Sequence, residues 1–321
     1  MEKTVVDTVY DELYDLGVKR REYYSFLSGV IRGAGELSFT PRGFSVSIKH
    51  AEQRLIRLIE TVVKDLYSYD VTADFSRMNL GYKEGFFYTL VIPAEISSDL
   101  LEKCGVVTRK YEFIDVLPPK LVGSKATKKA FLRGLFLSCG FLKIPESQSG
   151  GGVSQGYTLS FNLNSDIVKE KIVTLIEQEC LLEPGTVKRK KKGSGIYIKS
   201  SEAICGILTF LGSVKGSLLL YDVISARQLR NDVNRVNNFD LANLDKSVVA
   251  GARQIDAITR IKNSGSYSKL SDELKKICDL RCEFPDVSLE ELRMKLQPPI
   301  SKSCLNHRLR RIVEIAESLN E

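Results

Sequence analysis

Two runs of cations and a thin scatter of nucleophiles are the residues here with chemistry to offer. The run "KRKKK" comprises Lys188, Arg189, Lys190, Lys191 and Lys192, beside "GSG" in what reads as a hairpin. Five consecutive positive charges between two strands suit phosphate, and equally suit a solvated loop tip. The second run, "SKSCLNHRLRR", carries Lys302, Ser303, Asn306, His307, Arg308, Arg310 and Arg311. From Leu292 to Val313 there are six Lys or Arg residues and no acid. Arginine pairs well with guanine edges and asparagine with adenine. Lys302 and Arg311 are equally suited to phosphates, which set affinity rather than sequence preference.

Catalytic equipment is sparse. His50 and His307 are the only histidines, so a His general base has little to draw on. The seven cysteines, at 104, 139, 180, 205, 278, 282 and 304, include no CxxC pair. That argues against a disulfide framework or a standard zinc site. Cys278 and Cys282 lie four apart on a predicted helix, where buried reduced thiols are the expectation. No cofactor and no metal are expected.

Elements must position these groups, and the chain writes one set of them twice. "SFLSGVIRGAGELSF" (Ser25 to Phe39) and "AFLRGLFLSCGFLKI" (Ala130 to Ile144) align with Gly29 on Gly134 and Gly35 on Gly140. Each is followed by strands, an amphipathic helix, a hairpin and a closing helix, so each unit reads helix, two strands, helix, two strands, helix. Within the motif helices small residues recur every four: Ser25, Gly29, Gly33, and Ala130, Gly134, Ser138. That spacing puts them on one face. Glycine inside a helix costs roughly 1 kcal/mol relative to alanine, and close packing of the two helices on each other supplies a reason. The repeat therefore predicts an internal pseudo-dimer.

The rest of the chain sets the frame. With 321 residues and 43% apolar composition there is material for two domains. The 47 basic and 40 acidic residues give a net charge of +7, which permits a polyanionic partner without requiring one. No stretch approaches the roughly 18 uncharged apolar residues of a membrane span, and the N-terminus does not read as a signal peptide. A cytoplasmic, nucleoid-associated protein is expected. After about Ser217 the pattern is helical. "YDVISARQLRNDVNRVNN" and "LDKSVVAGARQIDAITRIKN" read as two helices, and a third starts with Ser268 as its N-cap. Ser288 and Glu291 fit a capping box. "QPPIS" ends that helix, because proline lacks the amide hydrogen. A last helix then starts near Ser301 or Lys302, with Leu305, Leu309, Ile312, Ala316 and Leu319 on its apolar face. A short helix, a turn and a basic second helix make a helix-turn-helix, whose second helix can enter the major groove.

"LSGVIRGAG" (Leu27 to Gly35) and "LRGLFLSCG" (Leu132 to Gly140) resemble the LAGLIDADG motif of homing endonucleases. The resemblance implies an α+β fold of two αββαββα units whose sheets form a saddle over DNA. In the active enzymes an acid just before each final glycine binds divalent metal. Ala34 and Cys139 stand there in this chain. Alanine offers no ligand, and a thiol is a poor match for magnesium. Glu36 lies one residue past Gly35, and a one-residue shift turns a side chain by about 100° on a helix. The cleavage centre is expected to be lost.

Over its full length the chain resembles the WhiA family of bacterial regulators associated with sporulation and cell division. "PPISKS", "NHRLR" and "NRVNNFDLANLDKSVVAGARQI" carry most of the likeness; Cys304 departs from the family's usual glycine. The resemblance implies a degenerate LAGLIDADG-like domain over 1–217, with repeats of about 1–118 and 124–217. A linker and helix-turn-helix domain are expected over 218–321. The implied function is non-catalytic, sequence-specific transcription regulation, with double-stranded DNA as partner. Another regulator or RNA polymerase is a further candidate, and the chain is expected to be a monomer. The alternatives are a protein-interaction scaffold for division or chromosome organisation, and an active endonuclease. Nothing in the sequence argues for a small-molecule pocket.

Overall fold

The computed structural model describes residues 3–79, 84–145, 156–163, 166, 168–183, 185–189 and 195–319. Two compact units divide the chain, Met1–Ala226 and Arg227–Glu321.

The first unit opens with α1 (Val5–Asp15), capped by Thr4 and Asp7 in a reciprocal box. The first repeat then runs α2 (Tyr23–Ala34), β1 (Gly35–Thr40), β2 (Gly43–His50), α3 (Gln53–Tyr67), β3 (Ala73–Asn79), β4 (Glu84–Ile92) and α4 (Ala94–Lys103). After the short α5 (Pro119–Val122) the second repeat has α6 (Lys125–Cys139), β5 (Gly140–Lys143), β6 (Thr158–Asn162), α7 (Lys169–Glu179), β7 (Lys188–Arg189), β8 (Gly195–Ile198) and α8 (Ser201–Leu211). The order expected from the repeat holds in both halves. Each half forms a four-stranded antiparallel sheet, β1-β2-β4-β3 and β5-β6-β8-β7.

The two motif helices are the centre of this unit. Phe26, Leu27, Phe131, Leu135 and Phe136 are fully or almost fully buried, in one core shared by both repeats. The small residues face the partner helix, as their spacing predicts. A Cβ on Gly29 would stand 2.1 Å from the Phe131 carbonyl oxygen, and one on Gly134 would stand 2.2 Å from that of Phe26. Alanine at either position would drive one backbone off the other.

The long helix α9 (Val214–Asn263) corrects the expected split into two helices. Nothing between the two predicted segments, "FDLAN", is a glycine or a proline, so nothing interrupts the hydrogen-bond ladder. The second unit then contains α10 (Asp272–Glu283), α11 (Leu289–Met294) and α12 (Lys302–Glu317). Its separate core joins Ala257, Ile258 and Ile261 of α9 to Ile277, Leu292, Leu305, Leu309 and Ile312. The N-cap of α10 is Ser271 rather than Ser268. Two acids follow Ser271 in the first turn, Asp272 and Glu273, where the helix dipole favours them. Cys278 is buried as expected, but Cys282 is exposed. No helix among the described residues is long and apolar enough to cross a membrane.

Candidate nucleic-acid interface

The helix-turn-helix is assembled by caps and one buried cation. Ser288 and Glu291 form the expected capping box, with Ser288 N–H donating to Glu291 Oε2 at 3.1 Å and Glu291 N–H to Ser288 Oγ at 3.3 Å. Ser288→Ala is expected to cost the second unit about 1 kcal/mol. Hydrogen exchange of the α11 amides would register it. Lys295 to Ser301 connect the helices, with Pro298 and Pro299 in the middle. Ser301 caps α12 by accepting from the Cys304 N–H at 3.1 Å.

Arg281 was not singled out by sequence, because on an amphipathic helix it looks like a surface residue. It is 2% exposed. Its Nη1 donates to the Val287 carbonyl at 2.7 Å, just before α11. Burial depresses its pKa, offset in part by Asp286. Room for it comes from Gly251 on α9, where a Cβ would lie 2.6 Å from the Arg281 Nη2. "AGARQI" thus has a packing reason, and Gln254 in the same stretch is also buried.

α12 buries Leu305, Leu309, Ile312 and Ala316. Leu319, expected on that face, lies past the end of the helix and is 40% exposed. Lys302, Ser303, His307, Arg310 and Arg311 are exposed. Arg311 pairs with Glu314, one turn along, at 3.1 Å. Arg308 is engaged differently. Its guanidinium pairs with Glu273 of α10 at 2.8 Å and is only 27% exposed, so it braces α12 against α10. Asn306 is half-buried. With Arg310 it borders a groove of about 720 Å³ whose other wall includes Lys246, Val249 and Arg253 of α9.

The two sheets of the first unit present different charges. By register, the outer face of the first carries Glu36, Ser38, Ser45, Ser47, Lys49, Asp74, Ser76, Phe87, Thr89 and Val91, a mixed surface with two acids and one lysine beside the exposed Val91. The outer face of the second carries Phe141, Lys143, Ser160, Tyr197 and Lys188. Lys199 follows β8, its ammonium 5.7 Å from the Tyr197 ring centre. Lys143, Lys188 and Lys199 are all exposed. Lys143 and Lys199 are missed by sequence, since only strand pairing brings them to one face. Of the "KRKKK" run, Lys188 and Arg189 form β7, and Lys190, Lys191 and Lys192 lie outside the described residues.

Just before each motif's final glycine, Ala34 and Cys139 end their helices. The Cys139 thiol donates to the Leu135 carbonyl at 3.3 Å, and burial pushes its pKa up to about 12. A thiol is also a soft donor, poorly matched to magnesium. Glu36 is not on the helix at all. The chain turns to strand at Gly35, so Glu36 sits in β1, exposed, opposite Ser47. Among the described residues no three His, Cys, Asp or Glu side chains converge as a metal site.

Comparison with known proteins fits this geometry. The family model of the WhiA LAGLIDADG-like domain matches residues 128–230, and that of the WhiA C-terminal HTH domain matches 233–316. A probable cell division protein WhiA from Clostridium tetani is 34% identical over 97% of this chain and 95% of its own. The chain belongs to the WhiA family. A second WhiA relative, from Lysinibacillus sphaericus, is 33% identical over 91% of this chain and 90% of its own. Full-length DUF199/WhiA from Thermotoga maritima has a crystal structure that superposes with a TM-score of 0.54, at 25% identity over 97% of this chain and 96% of its own. The WhiA fold, a LAGLIDADG-like α+β domain followed by a helical HTH domain, is therefore the fold of this chain.

Proposed function

We propose that this WhiA-family chain is a non-catalytic, sequence-specific DNA-binding transcription regulator acting in cell division or sporulation. The observation that carries this reading is the exposed row Lys302, Ser303, His307, Arg310 and Arg311 on a helix whose other face is locked in a core. A rigid helix with cations outward can enter the major groove and hold its register there. In this reading Arg310 and Asn306 read base edges, Lys302 and Arg311 hold phosphates, and Arg308 keeps α12 in place. The relatives' names, probable cell division protein WhiA, support the cell-division part of this assignment.

Loss of cleavage follows from the site's donors. The Ala34 side chain has no ligand atom, and Cys139 offers only a half-buried thiol, a soft donor poorly matched to magnesium. Supercoiled plasmid incubated with the protein and magnesium or manganese is expected to remain intact. Nicking that disappears in Glu36→Gln would contradict this.

Affinity is tested by salt. Each phosphate neutralised contributes about 0.9 to the slope of log K against log salt on duplex DNA. A full-chain titration is expected to give a steep slope, reduced when Lys143, Lys188 and Lys199 are changed together to alanine if the second sheet adds phosphate contacts. A flat salt response with weak affinity would favour the scaffold reading instead.

A further inference from the structure

DNA binding leaves one feature of the first unit unused. A cavity of about 240 Å³ lies at the C-terminal end of α2. Ile31, Arg32 and Leu37 line it from the first repeat, Val106 and Ile114 from the segment after α4, and Ile172 from α7. Phe113, 57% exposed, also lines it. An apolar cavity of about 150 Å³ already admits benzene, so this one has room for a longer chain.

Arg32 is the exception in this wall. Its Nη2 donates to the Gly105 carbonyl at 2.5 Å, while its Nε is buried with no hydrogen-bond partner. Among the described residues no carboxylate forms an ion pair with it. Burial lowers its pKa to about 10, with nearby Cys104 acting the other way. Gly105 is wedged against Pro118 and Leu121 at φ +65°, which fixes the carbonyl that holds the guanidinium. The alignment that sets Gly29 on Gly134 sets Arg32 on Leu137, so the cation is a departure from the repeat, not part of its shared architecture. A cation in an apolar wall is costly unless paired. A guanidinium is also the side chain best shaped to take a carboxylate.

We propose that this cavity binds a small amphipathic anion, an apolar chain ending in one carboxylate, with the carboxylate on Arg32 and the chain against Ile31, Leu37, Val106, Ile114 and Ile172. The site lies within the first unit and does not depend on the assignment of α12.

The test uses the full chain, with octanoate as probe and octanol as its uncharged counterpart, by isothermal titration calorimetry. Octanoate is expected to bind saturably, and at least about tenfold more tightly than octanol, because a charge-assisted pair is at stake. Arg32→Met is expected to abolish that preference. Ile114→Trp, which fills the cavity from a half-buried loop position and leaves α2 and α7 unchanged, is expected to weaken both ligands by about tenfold or more. The second variant keeps the test decisive if Arg32→Met fails to fold. No saturable octanoate binding, or octanoate binding at full strength in either variant, would overturn the proposal.

Discussion

Gly29→Ala and Gly134→Ala each destabilise the first unit by about 1–3 kcal/mol or more, although the same change on an open helix stabilises by roughly 1 kcal/mol. The sign is set by what the new methyl meets. At Gly29 it meets the Phe131 carbonyl at 2.1 Å and the Leu135 amide nitrogen at 2.8 Å; at Gly134 it meets the Phe26 carbonyl at 2.2 Å. These obstacles are backbone and cannot rotate aside. Gly33 differs, because its nearest obstacle, 2.2 Å away, is the Ser138 hydroxyl, which can turn. Gly206 in α8 is the control: nothing lies within 4 Å of its added Cβ, so Gly206→Ala should stabilise. Hydrogen exchange of the α2 and α6 amides isolates this unit. Protection in Gly29→Ala equal to wild type would mean that the helices do not meet at backbone contact.

The second large effect concerns α12. Arg310→Ala weakens the specific site by about 1–3 kcal/mol and relaxes preference at one position, whereas Lys302→Ala weakens all sequences alike and lowers the salt slope by about 1. Arg308→Ala follows a third pattern. It removes the 2.8 Å pair with Glu273, so Glu273→Ala should reproduce most of its effect. Competitive anisotropy titrations against specific and random duplexes separate the three. A much larger loss in Arg308→Ala than in Glu273→Ala would put Arg308 on DNA instead.

What sequence could show here was local periodicity, and local periodicity was enough for most of the scaffold. The four-residue spacing of Ser25, Gly29 and Gly33 pointed to a helix pair, and the structure has one. The Ser288–Glu291 box and the start of α12 were legible because caps involve residues three apart. Sequence and structure part where the outcome depends on something distant or on competition between neighbours. Ser268 and Ser271 are both credible caps, and the acids after Ser271 decide between them. Glu36 left the helix because the strand begins at Gly35, pairing with Ile48. The burial of Arg281, the brace between Arg308 and Glu273, and the lysines on the second sheet all depend on contacts between separate elements. So does the cavity around Arg32, whose walls come from both repeats and the segment between them.

The central claim is that the outer face of α12 reads DNA sequence. The most direct measurement selects bound fragments from a fragmented genome with the full chain, then repeats the selection with Ser303, His307 and Arg310 all changed to alanine. All three are exposed, so the variant should keep its fold, which amide exchange in α10 and α12 would verify. The wild-type chain is expected to enrich a shared sequence, and the variant to bind without that enrichment. A variant that recovers the same sequence as strongly would contradict the claim that the exposed face of α12 reads it.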